Sequence, residues 1–433
     1  MTAHHAAGHR GSVRPVTRLR SPLSLLVIAN ALSLTGNVVA TVAIPWLVLT
    51  TTGSAATTGI AIAAGAAAAA IGGLVAGRVV ETIGPTRTSA AADVLSALAV
   101  APLPILLFTG SLEIWHVVAL TIAGTLADSA GSTARQGLVP AAADASGKHR
   151  ERANALFTSA EHLGYLLGAP VAGVLIGLIG TGGALWVTVA AFTTAALLVG
   201  VLVRVERPGM AAGADGNRAG LAETARFIWA DPALRVLVIF PTTATLLIGP
   251  LVPIVLPVMA RDAFGDPVAL GLLVAGFGAG GLLGAAGFGT IGRRVPRRML
   301  FAAVMVVWPA TYLALALVPS LAVAVTLVLA LGIAAGSLVP MMATVRQERS
   351  PGHLLPRVVG LSTVSVPVVG PIAVLAVGFL LEGLGLRATL LLMTAATALL
   401  GLGVLTSDGI RALDGTRPIP APAPLERAIA AAS

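Results

Sequence analysis

The sequence predicts an all-α polytopic membrane protein, with twelve transmembrane helices in two pseudo-symmetric six-helix bundles. Three observations carry that prediction. Hydrophobic residues make up 56% of the 433 positions and charged residues only 10%, where a soluble chain carries about a quarter. Apolar runs of the length that crosses a bilayer, about 20 residues, follow one another along the chain. One interior stretch breaks the series: Arg204, Glu206, Arg207, Asp215, Arg218, Glu223, Arg226, Asp231 and Arg235 fall within it, with four glycines between them. In hydrocarbon only helices and closed barrels satisfy the backbone. The runs are long and continuous rather than short and alternating, so they are helices and not barrel strands.

The spans are expected at 23–49, 58–80, 89–108, 114–138, 153–179 and 184–203, then at 236–259, 269–291, 299–318, 321–344, 358–381 and 388–405. The organisation that follows is a cytoplasmic head (1–22), a first bundle (23–203), a cytoplasmic linker (204–235), a second bundle (236–405) and a disordered cytoplasmic tail (406–433). Of the 27 basic residues, only Arg261 and Arg387 fall in one set of connecting loops. The others sit in the head, the linker, the tail and the alternate turns. Positive residues stay inside, so both termini are expected in the cytoplasm, with the chain in the inner (plasma) membrane. That distribution also disposes of a nucleic-acid reading of the +9 formal charge.

His4, His5 and His9 in the head read as a solvated tail. The head is no secretory signal, because the apolar run after it is too long. The tail, with Pro418, Pro420, Pro422 and Pro424, reads as disordered from Asp408. Trp46, Trp115 and Trp186 fall near the outer ends of their spans, where an aromatic belt belongs. Gly276, Gly278 and Gly281 satisfy G-x-G-x-x-G, but inside a span and without the strand or the acidic residue that a dinucleotide site needs. Gly276, Gly280 and Gly284 recur at helix-packing spacing instead. There is no cysteine, no nucleophile elbow and no phosphate loop. Neither an enzyme nor a cofactor is expected.

The turns repeat. Ala134-Arg135-Gln136, with Pro140 and Arg152 after it, matches Val345-Arg346-Gln347, with Pro351 and Arg357 after it. The turn after span 2 reads Gly77-x-x-x-Glu81-Thr82-x-Gly84-Pro85-Thr86-Arg87, and the turn after span 8 reads Gly289-x-x-x-Arg293-Arg294-x-Pro296-Arg297-Arg298. Duplicated six-helix units are how many secondary transporters are built. On these residues the chain resembles a major facilitator superfamily transporter. Gly77, Glu81 and Gly84 follow that superfamily's Gly-x-x-x-Asp-Arg-x-Gly-Arg-Lys signature, with Glu for Asp, while Thr82 and Pro85 depart from it. Thr52-Gly53-Ser54, Arg152-Ala153-Asn154-Ala155 and Arg226-Phe227-Ile228-Trp229 with Asp231-Pro232 resemble the drug:proton antiporter branch that includes macrolide efflux and enterobactin export proteins. The resemblance implies that spans 1, 4, 7 and 10 line a central cavity. Members of this branch often carry an Asp near the position of Asn37, so a proton site, if present, must lie elsewhere.

In span 1, Asn30, Ser33, Asn37 and Thr41 recur at spacings of three and four, as do Thr121, Thr125, Asp128, Ser132 and Arg135 in span 4. Each set makes one stripe on a helix face. Polar stripes are costly against lipid and belong on a cavity; the alternative is interhelical glue. Three acids, Asp93, Asp128 and Glu161, lie within spans 3, 4 and 5. Asp128 lies about 20 Å from Trp115 along its helix and Glu161 about 13 Å past Arg152. Asp93 reads as a structural partner of Arg78 or Arg87. Glu161 shares a face with Gly164 and Gly168, ahead of a Pro170-Gly173 run that resembles the antiporter motif. Glu161 and Asp128 are the proton-coupling candidates. From the second half, Thr242, Ser337, Met341 and Met342 are expected on an apolar facing wall. Glu81, Arg87, Arg293 and Arg294 are expected to form a cytoplasmic gate.

The reading is a monomeric secondary transporter that exports an amphipathic small molecule (drug, antibiotic or siderophore-like) by alternating access, in exchange for protons across the lipid bilayer. The alternatives are uptake of a small metabolite, uncoupled or by symport, and a transporter-like sensor that moves no substrate.

Overall fold

The computed structural model describes residues 21–203, 218–292, 294–317, 320–351, 354–363 and 366–413. Helix α1 spans Pro22–Thr52; Ser21 caps it through the backbone N–H of Ser24, and Gly53 ends it with φ 72°. Helix α2 spans Ala55–Ile83, capped by Ser54 through Thr57 N–H. Capping side chains of this kind hold one of the otherwise orphaned first-turn N–H groups. Pro85 then starts α3, Pro85–Thr109, and α4 spans Ile114–Ala145. The next helical stretch, Arg150–Leu197, contains non-helical backbone at Gly180 (φ 72°, ψ 169°). We number its two rods α5 (150–179) and α6 (181–202). A short helix α7, Arg218–Ala230, precedes α8, Pro232–Phe264. Asp231 caps α8 and Asp266 caps α9, Pro267–Ile291. Then come α10 (Arg297–Leu317), α11 (Leu321–Arg349) and α12 (355–363 and 366–384). Gly385 (φ 77°, ψ 170°) separates α12 from α13 (386–405), and α14 spans Asp408–Ala412.

Ten helical stretches among the described residues are long and apolar enough to cross a membrane. Two of them, Gly168–Val201 and Arg357–Leu405, run across the glycine breaks. Divided there, the spanning rods are the twelve that the sequence predicts. Gly180 and Gly385 occupy corresponding places in the repeat, and their backbone conformation is one that essentially only glycine adopts.

Two ends can be distinguished. One carries the turns at Gly53, Gly110, Gly180, Gly265 and Gly385; the other carries Gly84 and Gly147. Contacts between α1–α6 and α8–α13 gather toward the Gly53 end. A Cβ on Gly173 (α5) would lie 2.8 Å from the Cα of Gly271 (α9), and one on Gly59 (α2) 3.3 Å from the Cα of Gly378 (α12). Only hydrogen in place of a side chain lets these backbones touch. Two charged groups close the same end. Arg261 of α8 donates to the carbonyls of Leu49 (3.1 Å) and Gly53 (2.9 Å) at the C-terminus of α1. Glu382 of α12 accepts from Ala55 N–H (2.7 Å) at the N-terminus of α2. Each charge thus meets the helix end whose dipole favours it. Within the second set, Gly276, Gly280 and Gly284 face the α11 backbone at Val325, Leu329 and Ile333, so the glycines at every fourth position serve packing.

Three expectations are corrected. Trp46 is buried, whereas Trp115 and Trp186 are exposed, so the belt contains the latter two only. The tail does not lose structure at Asp408: α14 docks on α8, with Ile410 and Leu413 buried and Arg349 joining Asp231 to the carbonyl of Ala412. The linker contributes α7 and the start of α8. The head and residues 204–217 and 414–433 lie outside the described residues.

Gly385→Ala should destabilise the protein by about 1–3 kcal/mol, because alanine cannot adopt that backbone conformation without strain. Gly383→Ala, at a helical position with open space around it, should be neutral or mildly stabilising. Thermal unfolding of the two variants in detergent, followed by circular dichroism, checks the difference.

Candidate functional site

A cavity of about 550 Å³ opens among α1, α2, α3 and α4, with Glu161 of α5, Phe192 of α6 and Pro253 of α8 at its sides. The two polar stripes build its wall: Asn30, Asn37 and Thr41 from α1, and Thr121, Thr125, Asp128, Ser132 and Arg135 from α4, all line it. Helical spacing explains the convergence, since positions three and four apart share a face.

Arg135 is the centre of the polar end. It is only 2% exposed, ten residues before the C-terminus of α4 at Ala145. A guanidinium in that position requires counter-charge and full hydrogen bonding. Its Nη1 donates to Asp93 Oδ1 at 3.0 Å, its Nη2 to Asp128 Oδ1 at 3.4 Å and its Nε to Asn30 Oδ1 at 3.1 Å. Ser33 Oγ donates to Asp93 Oδ1 at 2.8 Å. Asp93 is thus paired with Arg135, in place of the Arg78 or Arg87 that the sequence suggested. It is fully buried, whereas the Asp128 side chain keeps 25% of its surface open toward the cavity. Glu161 is half-buried, lines the cavity and makes no ion pair among the described residues. Three carboxylates therefore stand against one guanidinium. Asn30 Nδ2 and Thr121 Oγ1, both buried, have no hydrogen-bond partner among the described residues.

Polarity changes along the cavity. Arg135, Asp128, Asn30, Glu161 and Gln136 lie toward the Gly84 end, and Ile44, Pro45, Ile62, Val100, Leu103 and Leu120 toward the Gly53 end. From Asp128 to Leu120 is eight residues of α4, about 12 Å.

The residues expected from the second half are placed elsewhere. Ser337 and Met341 are buried, and Ser337 Oγ donates to the carbonyl of Ala334. Thr242 donates to Val238 O. None of the three lines this cavity; Pro253 does. Glu81, Arg87 and Arg294 are exposed at the Gly84 end and form no ion pair among the described residues; Arg293 lies outside them. Arg135 is what sequence reasoning missed. Its place on the α4 stripe was visible, but the repeat made it look like a turn residue, and only the continuation of α4 to Ala145 buries it. Its counterpart Arg346 differs: Nη1 donates to Ser362 Oγ at 2.7 Å, and no carboxylate among the described residues pairs with it.

The family model described as Major Facilitator Superfamily matches residues 26–265 and 244–428. The chain belongs to the major facilitator superfamily. Like other members of the superfamily it is a multi-pass membrane transporter, not an enzyme. It is 32% identical over 401 residues to a protein of Mycolicibacterium fortuitum named multidrug efflux pump Tap, covering 91% of this chain and 98% of that one. It is 31% identical to the protein of the same name from Mycobacterium tuberculosis H37Rv, with 91% and 95% covered. Among solved structures, a bacterial homolog of the human lysosomal transporter Spinster, inward-facing and unoccupied, superposes with TM-score 0.71 at 14% identity over 94% of this chain and 100% of that one. Nucleoside transporter NupG does so with TM-score 0.69 at 12% identity over 92% and 100%. At such identities the superfamily fold is what is shared.

Arg135→Met should cost about 3–5 kcal/mol, because it leaves Asp93 buried without a counter-charge. Adding Asp93→Asn should recover most of that loss, since the neutral amide no longer needs the guanidinium. Unfolding midpoints of the single and double variants in detergent measure both effects.

Proposed function

We propose that the chain is a proton-coupled exporter of amphipathic, cationic small molecules. The observation that carries this is the cavity's charge: Asp128 and Glu161 line it together with Arg135, whose guanidinium is also paired with the buried Asp93 behind the wall, in a transporter whose relatives are named multidrug efflux pumps. A negative chamber with apolar walls favours a cation that carries hydrophobic surface. Asn37, Thr41, Thr125 and Gln136 add uncharged polar groups to the lining.

The clustering of basic residues at the Gly84 end supports a cytoplasmic position for that end, in the plasma membrane, with the Gly53 end outside. The contacts of Arg261, Glu382 and the Gly173–Gly271 pair seal the outer end, so access in this state is from the cytoplasm. Residues 23–203 and 236–405 act as the two moving bodies of a monomer. When the inner side closes, Arg87, Arg293 and Arg294 approach acids such as Glu81.

Proton coupling rests on Glu161 and Asp128. Asp128 is held by Arg135, whereas Glu161 has no fixed counter-charge, so Glu161 exchanges protons and substrate cations most readily. A proton taken up from the acidic exterior neutralises Glu161 and releases the cation. Return to the cytoplasmic side frees the carboxylate for the next one. Proton and substrate then compete for one negative site.

Everted membrane vesicles with an acidic lumen test this. The wild-type protein should concentrate a cationic dye inside. Glu161→Gln should abolish that accumulation while leaving dye exchange measurable, and Asp128→Asn should weaken dye binding. Accumulation retained in Glu161→Gln but lost in Asp128→Asn would move the proton to Asp128. Dye extrusion from the vesicles under the same gradient would reverse the direction and support uptake.

A further inference from the structure

The cavity's lining is one-sided. Apart from Pro253, every lining residue among those described lies between Asn30 and Phe192, so the described wall is made by the helices before the linker. Its cross-section is kept open by small side chains at mid-depth: Ala40 on α1, Ala66 on α2 and Gly124 on α4. Ala40 and Ala66 are partly exposed to the lumen rather than packed away. Below them are the carboxylates, and above them is an apolar blind end closed by Ile44, Pro45, Val100, Leu103 and Leu120. Val100 and Leu103 are buried in the hydrophobic core, so that end is part of the folded body and not a surface cleft.

From this arrangement we infer that the first six helices alone hold the substrate, in one orientation and with a length limit. The cationic group sits at the level of Asp128 and Glu161. The apolar body points toward the Gly53 end, inside α1–α4, and its length is limited to about 12 Å, the rise of the eight residues from Asp128 to Leu120. Ala40 and Ile62 are the specificity-determining positions: the first sets how far up the lumen a ligand can reach, and the second forms part of the blind end. The helices after the linker act as a moving wall that touches the ligand at Pro253. This rests on the proposed preference for amphipathic cations and adds where, which way round and how long.

Charge and shape support this orientation together. A cation at the blind end would be surrounded by Leu, Val and Ile with no counter-charge, a costly placement. An apolar tail at the other end would desolvate Asp128 and Glu161 without compensation. With the cation at the acids, both groups find matching surroundings, and each methylene that enters the blind end adds apolar burial, about fourfold in affinity.

The test is competition by alkyltrimethylammonium ions, from butyl to dodecyl, against a bound fluorescent cation on protein in lipid nanodiscs, with empty nanodiscs subtracted. For the wild-type protein the affinity should rise about fourfold per methylene and then stop once the tail fills the blind end. Ala40→Leu should bring that plateau to a shorter tail, and Ile62→Ala should move it to a longer one. Asp128→Asn should weaken all tail lengths by a common factor. A plateau at the same tail length in wild type, Ala40→Leu and Ile62→Ala overturns the inference, as does a rise with no plateau. If Ala40→Leu fails to fold, the lengthening in Ile62→Ala decides alone. If no member of the series competes, the inference falls. The vesicle experiment judges export separately, so dye accumulation alongside an unmoved plateau keeps the exporter and rejects the chamber.

Discussion

The guanidinium of Arg135 is the group around which the first half of this transporter is arranged. A cation that is 2% exposed within a membrane helix must be neutralised by its neighbours. Asp93 of α3, Asp128 of α4 and Asn30 of α1 do so together. The cluster therefore ties three helices at one depth. It also leaves a consequence in the cavity: Arg135 already has a partner in the buried Asp93, so Asp128 and Glu161 give the lining an excess of acid. The same contacts that make a buried charge tolerable give the cavity its sign.

The second constraint is at the opposite end. Arg261 and Glu382 reach across from the later helices to the adjoining termini of α1 and α2, one to carbonyls and one to an N–H. Close glycine contacts beneath them, Gly59 with Gly378 and Gly173 with Gly271, let the two sets of helices meet without side chains between. Such contacts are many and individually modest, the kind that can be exchanged for a different set when the other side closes. The asymmetry between Arg135, bound by carboxylates, and Arg346, bound by a hydroxyl, shows that the two repeats share a backbone plan while their chemistry has diverged.

Much of this was legible in the sequence. Helical apolar runs and paired turns pointed to twelve rods, because hydrocarbon allows the backbone few options. The stripes of α1 and α4 were readable from spacing, since a helix repeats its face every three to four residues. What was not readable was pairing between helices. Asp93 looked like a partner for the nearby Arg78 or Arg87, but sequence distance carries no information on which helix packs beside α3. Ser337 and Met341 carried suitable chemistry, yet burial depends on the rotation of α11 about its axis, which its nearly uniform apolar sequence does not specify. The docking of α14 was hidden by a tail rich in proline and alanine; among its described residues, Ile410 and Leu413 provide the apolar anchor.

The account stands on the substrate occupying a chamber within α1–α4, cation toward Asp128 and apolar body toward Leu103. The most direct measurement is a crystal structure with an amphipathic cation brominated at the far end of its tail, located by anomalous scattering. The account predicts the bromine peak among Val100, Leu103 and Leu120, with the cationic group beside Asp128 and Glu161. A peak against α8 and α11, near Thr242 and Met341, or one at the level of Arg135 with the cation deeper than the acids, would contradict it.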